Sequence, residues 1–169
     1  ENNFSTGYFL TETGIEELHR VSIKPVDKAY RETYGIKLRA GRWFSEADEQ
    51  EARADVPPEK RKLVYIVNES AARRLGFNPD EIIGKKITTG VYDIDSEVVG
   101  VVEDFHIASL HEEITPVVLM VLPQYFYTGG IKVKQQDFTE TLSHIESTWE
   151  QSFPEYNFEY EFMDEHLAD

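Results

Sequence analysis

The sequence predicts an α+β fold in two parts, a β-rich middle and a terminal β-α-β unit. Three observations carry that prediction. Residues 63–67, 97–102 and 116–122 are short apolar runs rich in β-branched side chains, too brief for helices and too continuous for a solvated face. Residues 131–162 read as strand, amphipathic helix, strand within about 30 residues. The chain has 169 residues, 40% of them apolar, which suffices for a hydrophobic interior without metal or disulfide staples.

Taken in order, residues 1–12 carry aromatics but no clear period. Residues 19–26 alternate loosely and read as a strand stopped by Pro25. Asp27 is placed to cap a short helix over 28–34, with Gly35 as its left-handed exit. Residues 36–42 form a short strand and turn. Residues 45–62, dense in charge and holding Pro57-Pro58, read as a mobile surface loop or a frayed helix. The buried strand at 63–67 leads to Asn68, which caps a compact helix over 69–75, ended by Gly76. Residues 82–87 run into another strand, and 97–102 and 116–122 supply two more.

The C-terminal stretch is the most legible. Ile131, Lys132, Val133 and Lys134 alternate as a half-buried strand. Asp137 followed three places on by Glu140 predicts a capping box. Phe138, Leu142, Ile145, Trp149 and Phe153 then form one apolar stripe at helical spacing, and Pro154 ends the helix. Tyr156, Phe158, Tyr160 and Phe162 alternate with Asn157, Glu159 and Glu161, giving a strand whose aromatic face is expected to pack under that helix as core.

Charge excludes whole classes of partner. Lys and Arg total 17 against 32 Asp and Glu, a formal net charge of -15, so phosphate backbones and anionic lipid are repelled. The absence of cysteine rules out thiol catalysis, thiolate zinc sites and disulfides. No stretch approaches the roughly 20 apolar residues that span a bilayer.

The strongest candidate chemistry lies just beyond the strand at 97–102. Asp104, His106, His111, Glu112 and Glu113 suggest a metal or acid–base cluster, since Asp104 and His106 two apart on an extended chain share a face. His111 and Glu112 are neighbours and do not converge, and the spacing matches no metal-binding motif. A strand exit with solvated polar residues is the better reading. His19, His144 and His166 are scattered, there is no Gly-x-Ser-x-Gly elbow and no phosphate-binding glycine loop. No catalytic, cofactor-binding or metal-ligating residue is therefore assigned.

Four runs in order resemble the MacB-like periplasmic core domain of ABC transporter permeases of the FtsX/MacB/LolE type, in the style of Bacteroides-like bacteria. The first is residues 26–44, ending in Gly35-Ile36, Leu38, Ala40-Gly41-Arg42 and Phe44. The second is residues 67–76, opened by Val67-Asn68-Glu69-Ser70, and the third is Ile83-Gly84-Lys85-Lys86-Ile87. The fourth is Val98-Val99-Gly100-Val101-Val102-Glu103-Asp104-Phe105-His106, with Ser109-Leu110-His111 and Ile114-Thr115-Pro116 after it. Residues 162–167 are similar to the segment that, in such permeases, directly precedes a transmembrane helix.

The resemblance implies a porter-like α+β lobe formed by both chain ends, residues 1–44 with 129–169, and an inserted, mainly β, sabre-like lobe over residues 45–128. A full family domain begins with a strand–helix pair ahead of the strand at 19–26. Residues 1–18 do not supply one legibly, which implies a reduced first lobe or a shortened chain. The implied function is that of a non-catalytic, extracytoplasmic domain on the periplasmic side of the inner membrane. It would couple ATP-driven motion to substrate export or partner signalling. Implied partners are a second permease copy and an ABC ATPase subunit, both through parent regions outside this chain, with a periplasmic adaptor as a further candidate. The isolated domain is expected to be monomeric. The rival readings are a free-standing periplasmic peptide- or glycan-binding module and a metal-dependent hydrolase built on Asp104, His106 and His111.

Overall fold

The computed structural model describes residues 3–57, 60–91, 94–107 and 113–162. The chain divides into two compact units, residues 1–129 and 130–169.

The first unit is built on seven strands: β1 (Phe4–Leu10), β2 (His19–Pro25), β3 (Leu38–Gly41), β4 (Val64–Asn68), β5 (Lys86–Thr89), β6 (Asp95–Val102) and β7 (Val117–Met120). They run in the order β3-β6-β4-β7-β2-β1-β5, and β5 also pairs with β6. That extra pairing closes six strands into a ring. Residues Asp95 to Glu97 of β6 bond to β5, and Gly100 to Val102 bond to β3 on the same edge, while β4 runs along the other. The pairs β2–β7 and β4–β6 are parallel and the remainder antiparallel. Closure leaves little bare edge, which removes the aggregation hazard of an open sheet.

The interior follows from composition. All four residues of β7 are buried, as are Tyr65, Ile66, Val67, Val98, Val101 and Val102, matching the near-continuous apolar runs of strands covered on both faces. β1 escaped the sequence pattern for a physical reason. Its inward positions Tyr8 and Leu10 are buried, but their neighbours Gly7 and Phe9 are not polar, so no alternation shows. The Tyr8 hydroxyl donates to the Ala71 carbonyl at 3.0 Å, and burial pushes its phenol pKa up against the opposing pull of the Arg74 charge.

Among the described residues, three short α-helices decorate the ring. Helix α1 (Tyr30–Tyr34) begins where the Asp27 carboxylate accepts from the Tyr30 amide at 2.8 Å, and it exits through Gly35 at φ 67°. Helix α3 (Glu69–Arg74) is capped by Asn68 as expected. The segment read as a mobile loop or a frayed helix does hold a helix. Ser45 and Asp48 form a capping box that starts helix α2 (Glu46–Glu51). Arg61, buried, donates from Nε to the Val56 carbonyl at 2.8 Å and from Nη2 to the Ala54 carbonyl at 3.2 Å, fastening the return from the helix.

The strands do not follow the division expected from the sequence. β1, β2 and β3, from residues 1–44, share one sheet with β4 to β7, from residues 45–128, and the compact units separate at residues 129 and 130. β2 and β7, far apart in sequence, pair in parallel.

The second unit contains helix α4 (Phe138–Ser152). The expected strands at 131–134 and 156–162 form no ladder among the described residues. A strand needs a neighbour to satisfy its backbone, and this unit presents none there. The expected capping box is also absent. Asp137 makes no side-chain cap, and a 3-10 turn, Gln135–Asp137, leads into the helix. The aromatic face expected to be core is only half covered. Phe158 and Trp149 are half-buried, whereas Tyr156, Tyr160 and Phe162 are 68%, 53% and 39% exposed.

Candidate functional site

Strands β4 and β6 are parallel and end level, Asn68 beside Val102. The chain leaving β4 turns at once into α3, so the chain leaving β6 passes the first turn of that helix. Asp104 therefore meets α3. Its carboxylate accepts from the Ser70 amide at 2.8 Å, the Ser70 hydroxyl at 2.8 Å and the Arg73 guanidinium at 2.6 Å. Burial alone would raise its pKa, but the Arg73 and Ser70 donors outweigh it and hold the carboxyl below the usual range.

Asn68 stands beside this cluster and is fully buried. Its Oδ1 accepts from the Ala71 amide at 3.0 Å and the Val117 amide at 2.9 Å, and its Nδ2 donates to the Thr115 carbonyl at 2.9 Å. One amide thus ties β4, α3 and the entry to β7. A helix cap at Asn68 is legible in the sequence, but the two bonds to residues 115 and 117 are not, because nothing local marks a partner 47 to 49 positions away. Ser70 and Arg73 were equally silent. Outside the cluster, Glu103 lies 3.6 Å from both Lys37 and Arg39, and Glu69 lies 3.4 Å from Arg39. These are exposed pairs that contribute little.

The chemistry of the corner is structural. Both oxygens of Asp104 are engaged by donors from Ser70 and Arg73. His106 is exposed, Glu113 is exposed, and His111 and Glu112 lie outside the described residues. Among the described residues no three His, Cys, Asp or Glu side chains converge as metal ligands. His19 rests against the Tyr8 ring at 6.0 Å, His144 is exposed on α4, and His166 lies outside the described residues.

The second unit carries the other candidate surface. The tail after α4 folds back along it. Phe153 and Phe158 lie 4.9 and 6.2 Å from Trp149, and Phe162 reaches Phe138 at the start of the helix, 5.3 Å away. The Trp149 indole donates to the Tyr156 carbonyl at 3.0 Å. Glu146, Glu150, Pro154, Tyr156, Asn157 and Phe158 line a shallow groove between helix and tail. No helix among the described residues is long and apolar enough to cross a membrane.

The first unit is thus a closed, sheet-dominated α+β fold in which the Asp104 carboxylate is spent on packing. The chain belongs to the MacB-like periplasmic core domain family, whose model matches residues 3–147. It is a periplasmic domain of a MacB/FtsX-like ABC transporter permease, a family of generally non-catalytic domains whose parent permeases work with an ATPase. Three solved structures share the fold. The extracellular domain of the noncanonic ABC-type transporter YknZ from Gram-positive bacteria is 13% identical with a TM-score of 0.60, over 90% of this chain and 73% of that one. The periplasmic region of MacB from Actinobacillus actinomycetemcomitans is 15% identical with a TM-score of 0.56, over 92% and 74%. A domain of a putative permease from Porphyromonas gingivalis is 15% identical with a TM-score of 0.52, over 95% and 80%. A search of curated proteins gave no match.

Proposed function

We propose that this domain transmits ATP-driven motion of its parent permease to the periplasmic side, as a mechanical element that holds no catalytic, metal or cofactor site. The observation that carries the reading is the fate of Asp104. The residue best placed for chemistry is committed to Ser70 and Arg73, locking β6 to α3. A strand ring cross-tied in this way is suited to moving as a rigid body under load.

The partners follow from the parent protein: a second permease copy and an ABC ATPase subunit meet through regions outside this chain, and an adaptor protein is a further candidate on the periplasmic side. The isolated domain is monomeric in this reading. The test uses the whole permease with its ATPase. Replacing residues 1–169 by a short flexible linker should leave ATP hydrolysis measurable while abolishing export or signalling. Transport that persists without the domain would overturn the proposal.

A further inference from the structure

Strands β7, β2 and β1 are neighbours in the ring, and one end of them gathers aromatic side chains. Phe4 at the start of β1 stands opposite Ile23, and Pro25 at the end of β2 stands beside Met120 at the end of β7. The chain leaving β7 therefore passes the start of β1. There the 3-10 turn Pro123–Tyr125 sets the Tyr125 ring 5.5 Å from Phe4. Tyr127 follows, edge-on to Tyr125 at 6.4 Å. Phe4, Phe126 and Tyr127 stay 37%, 41% and 72% exposed. Three open aromatic side chains at one strand end are more than the scattered single apolar residues of an ordinary surface.

Charge sorts the same way. The chain carries 32 Asp and Glu, yet none falls within residues 2–11, 18–26 or 114–136. β1, β2, β7 and the turn after them thus hold no carboxylate, and their charged residues are Arg20 and Lys24. Asp27, just past β2, accepts from the Tyr30 amide at 2.8 Å. The opposite end of β1 and β2 is acidic, with Glu12, Glu16 and Glu17 in the connecting turn. Headgroup phosphates repel carboxylates and admit a neutral or cationic surface. Tyr and aromatic rings in general favour that layer, where the ring leaves water and a hydroxyl stays wet.

We propose that the end of the first unit formed by Phe4 and residues 123–127 rests on a zwitterionic phospholipid surface, that of the inner membrane, with its aromatic side chains seated among the headgroups. The carboxylates elsewhere, repelled by the same phosphates, fix which end faces the bilayer. The inference rests on membership in a family of inner-membrane permeases and not on the coupling role proposed above.

The test mixes the isotope-labelled 169-residue chain with phosphatidylcholine nanodiscs containing a lipid that bears a nitroxide on its headgroup, and reads the relaxation of each backbone amide. Enhancement should be confined to residues 4–6 and 124–128. Phe126→Ser with Tyr127→Ser should reduce it by roughly tenfold. Both side chains are exposed enough for the fold to survive their loss, which unchanged resonances elsewhere verify. Ile15→Ser removes an apolar side chain 68% exposed in the turn at the opposite end, and should leave the enhancement as it was. Replacing half of the lipid by phosphatidylglycerol should weaken binding, because the chain's net charge is -15. No enhancement, enhancement centred on another face, or an equal loss with Ile15→Ser overturns the proposal. So does stronger binding to the phosphatidylglycerol discs. It is also overturned if resonances of residues 124–127 shift with chain concentration alone while sedimentation shows a dimer, since a second copy then covers the patch.

Discussion

Gly41 on β3 stands directly opposite Gly100 on β6, and neither has room for a Cβ. A Cβ at Gly41 would meet the Val99 carbonyl oxygen and come within 3.0 Å of the Gly100 Cα; one at Gly100 would meet the Arg42 carbonyl oxygen and lie 3.3 Å from Ile66. Gly41 also holds φ at 70°, a conformation other residues adopt at a cost. Gly100, which in the sequence interrupts an apolar strand, is thus the point where β3 lies flat against β6.

Gly100→Ala should therefore destabilise the domain by about 1–3 kcal/mol, through backbone displacement rather than lost contacts. Gly41→Ala adds the left-handed conformation and should cost at least as much. Urea denaturation of each variant checks this, and a Gly100→Ala midpoint equal to that of the parent chain would contradict it.

Asn68→Ala strands two buried amides and a carbonyl at once. The expected loss is about 2–6 kcal/mol, at roughly 1–3 kcal/mol for each of the two buried amides left without a partner. Asn68→Asp keeps the two accepted bonds and loses the donation to Thr115, so its midpoint should fall between the two.

Acid should unlock two corners. Asp104 is depressed as described, and Asp48 is brought to about 2 because donors from Arg42 and Ser45 outweigh the opposing effect of burial. A carboxylate with a depressed folded pKa stabilises above its unfolded value and loses that contribution as pH falls through the folded one. Stability should thus decline from about pH 4 towards pH 2, and Asp104→Asn should flatten part of that slope. Carboxyl resonances followed by NMR would give both titrations directly.

Arg61→Met keeps much of the side-chain volume but removes the donors to Val56 and Ala54. Limited proteolysis should then cut between Arg53 and Arg61 several-fold faster, with little effect elsewhere, since loop segments become cleavable as their backbone ties are lost.

Adding zinc or a chelator should leave the melting temperature unchanged, because Asp104 is already satisfied by Ser70 and Arg73 and His106 faces solvent. A shift of several degrees with stoichiometric zinc would reopen the metal-dependent reading.

Much of the fold was legible because its signals are local. Buried strands appear as apolar β-branched runs at β4, β6 and β7, and Asn68 and Gly35 mark helix ends by their own conformational preferences. The order of motifs from Gly41-Arg42 through Asp104-Phe105 was enough to imply the family. The role of the candidate site was less legible. Asp104 beside His106 is ambiguous in one dimension, and only the level ends of the parallel strands β4 and β6 bring Ser70 and Arg73 to it.

The sequence by itself determined the strands at β2, β4, β6 and β7 and the helix after Asn68, the exclusion of thiol chemistry and the repulsion of phosphate, since composition and short-range pattern suffice for these. Tertiary structure alone decided that β1 is a strand, that β1 to β3 share one closed sheet with β4 to β7, and that the segments flanking α4 form no ladder among the described residues. The physical reason is the same in each case: strand pairing is a contract between residues distant in the chain, and a strand's own side chains do not reveal whether its neighbour is present.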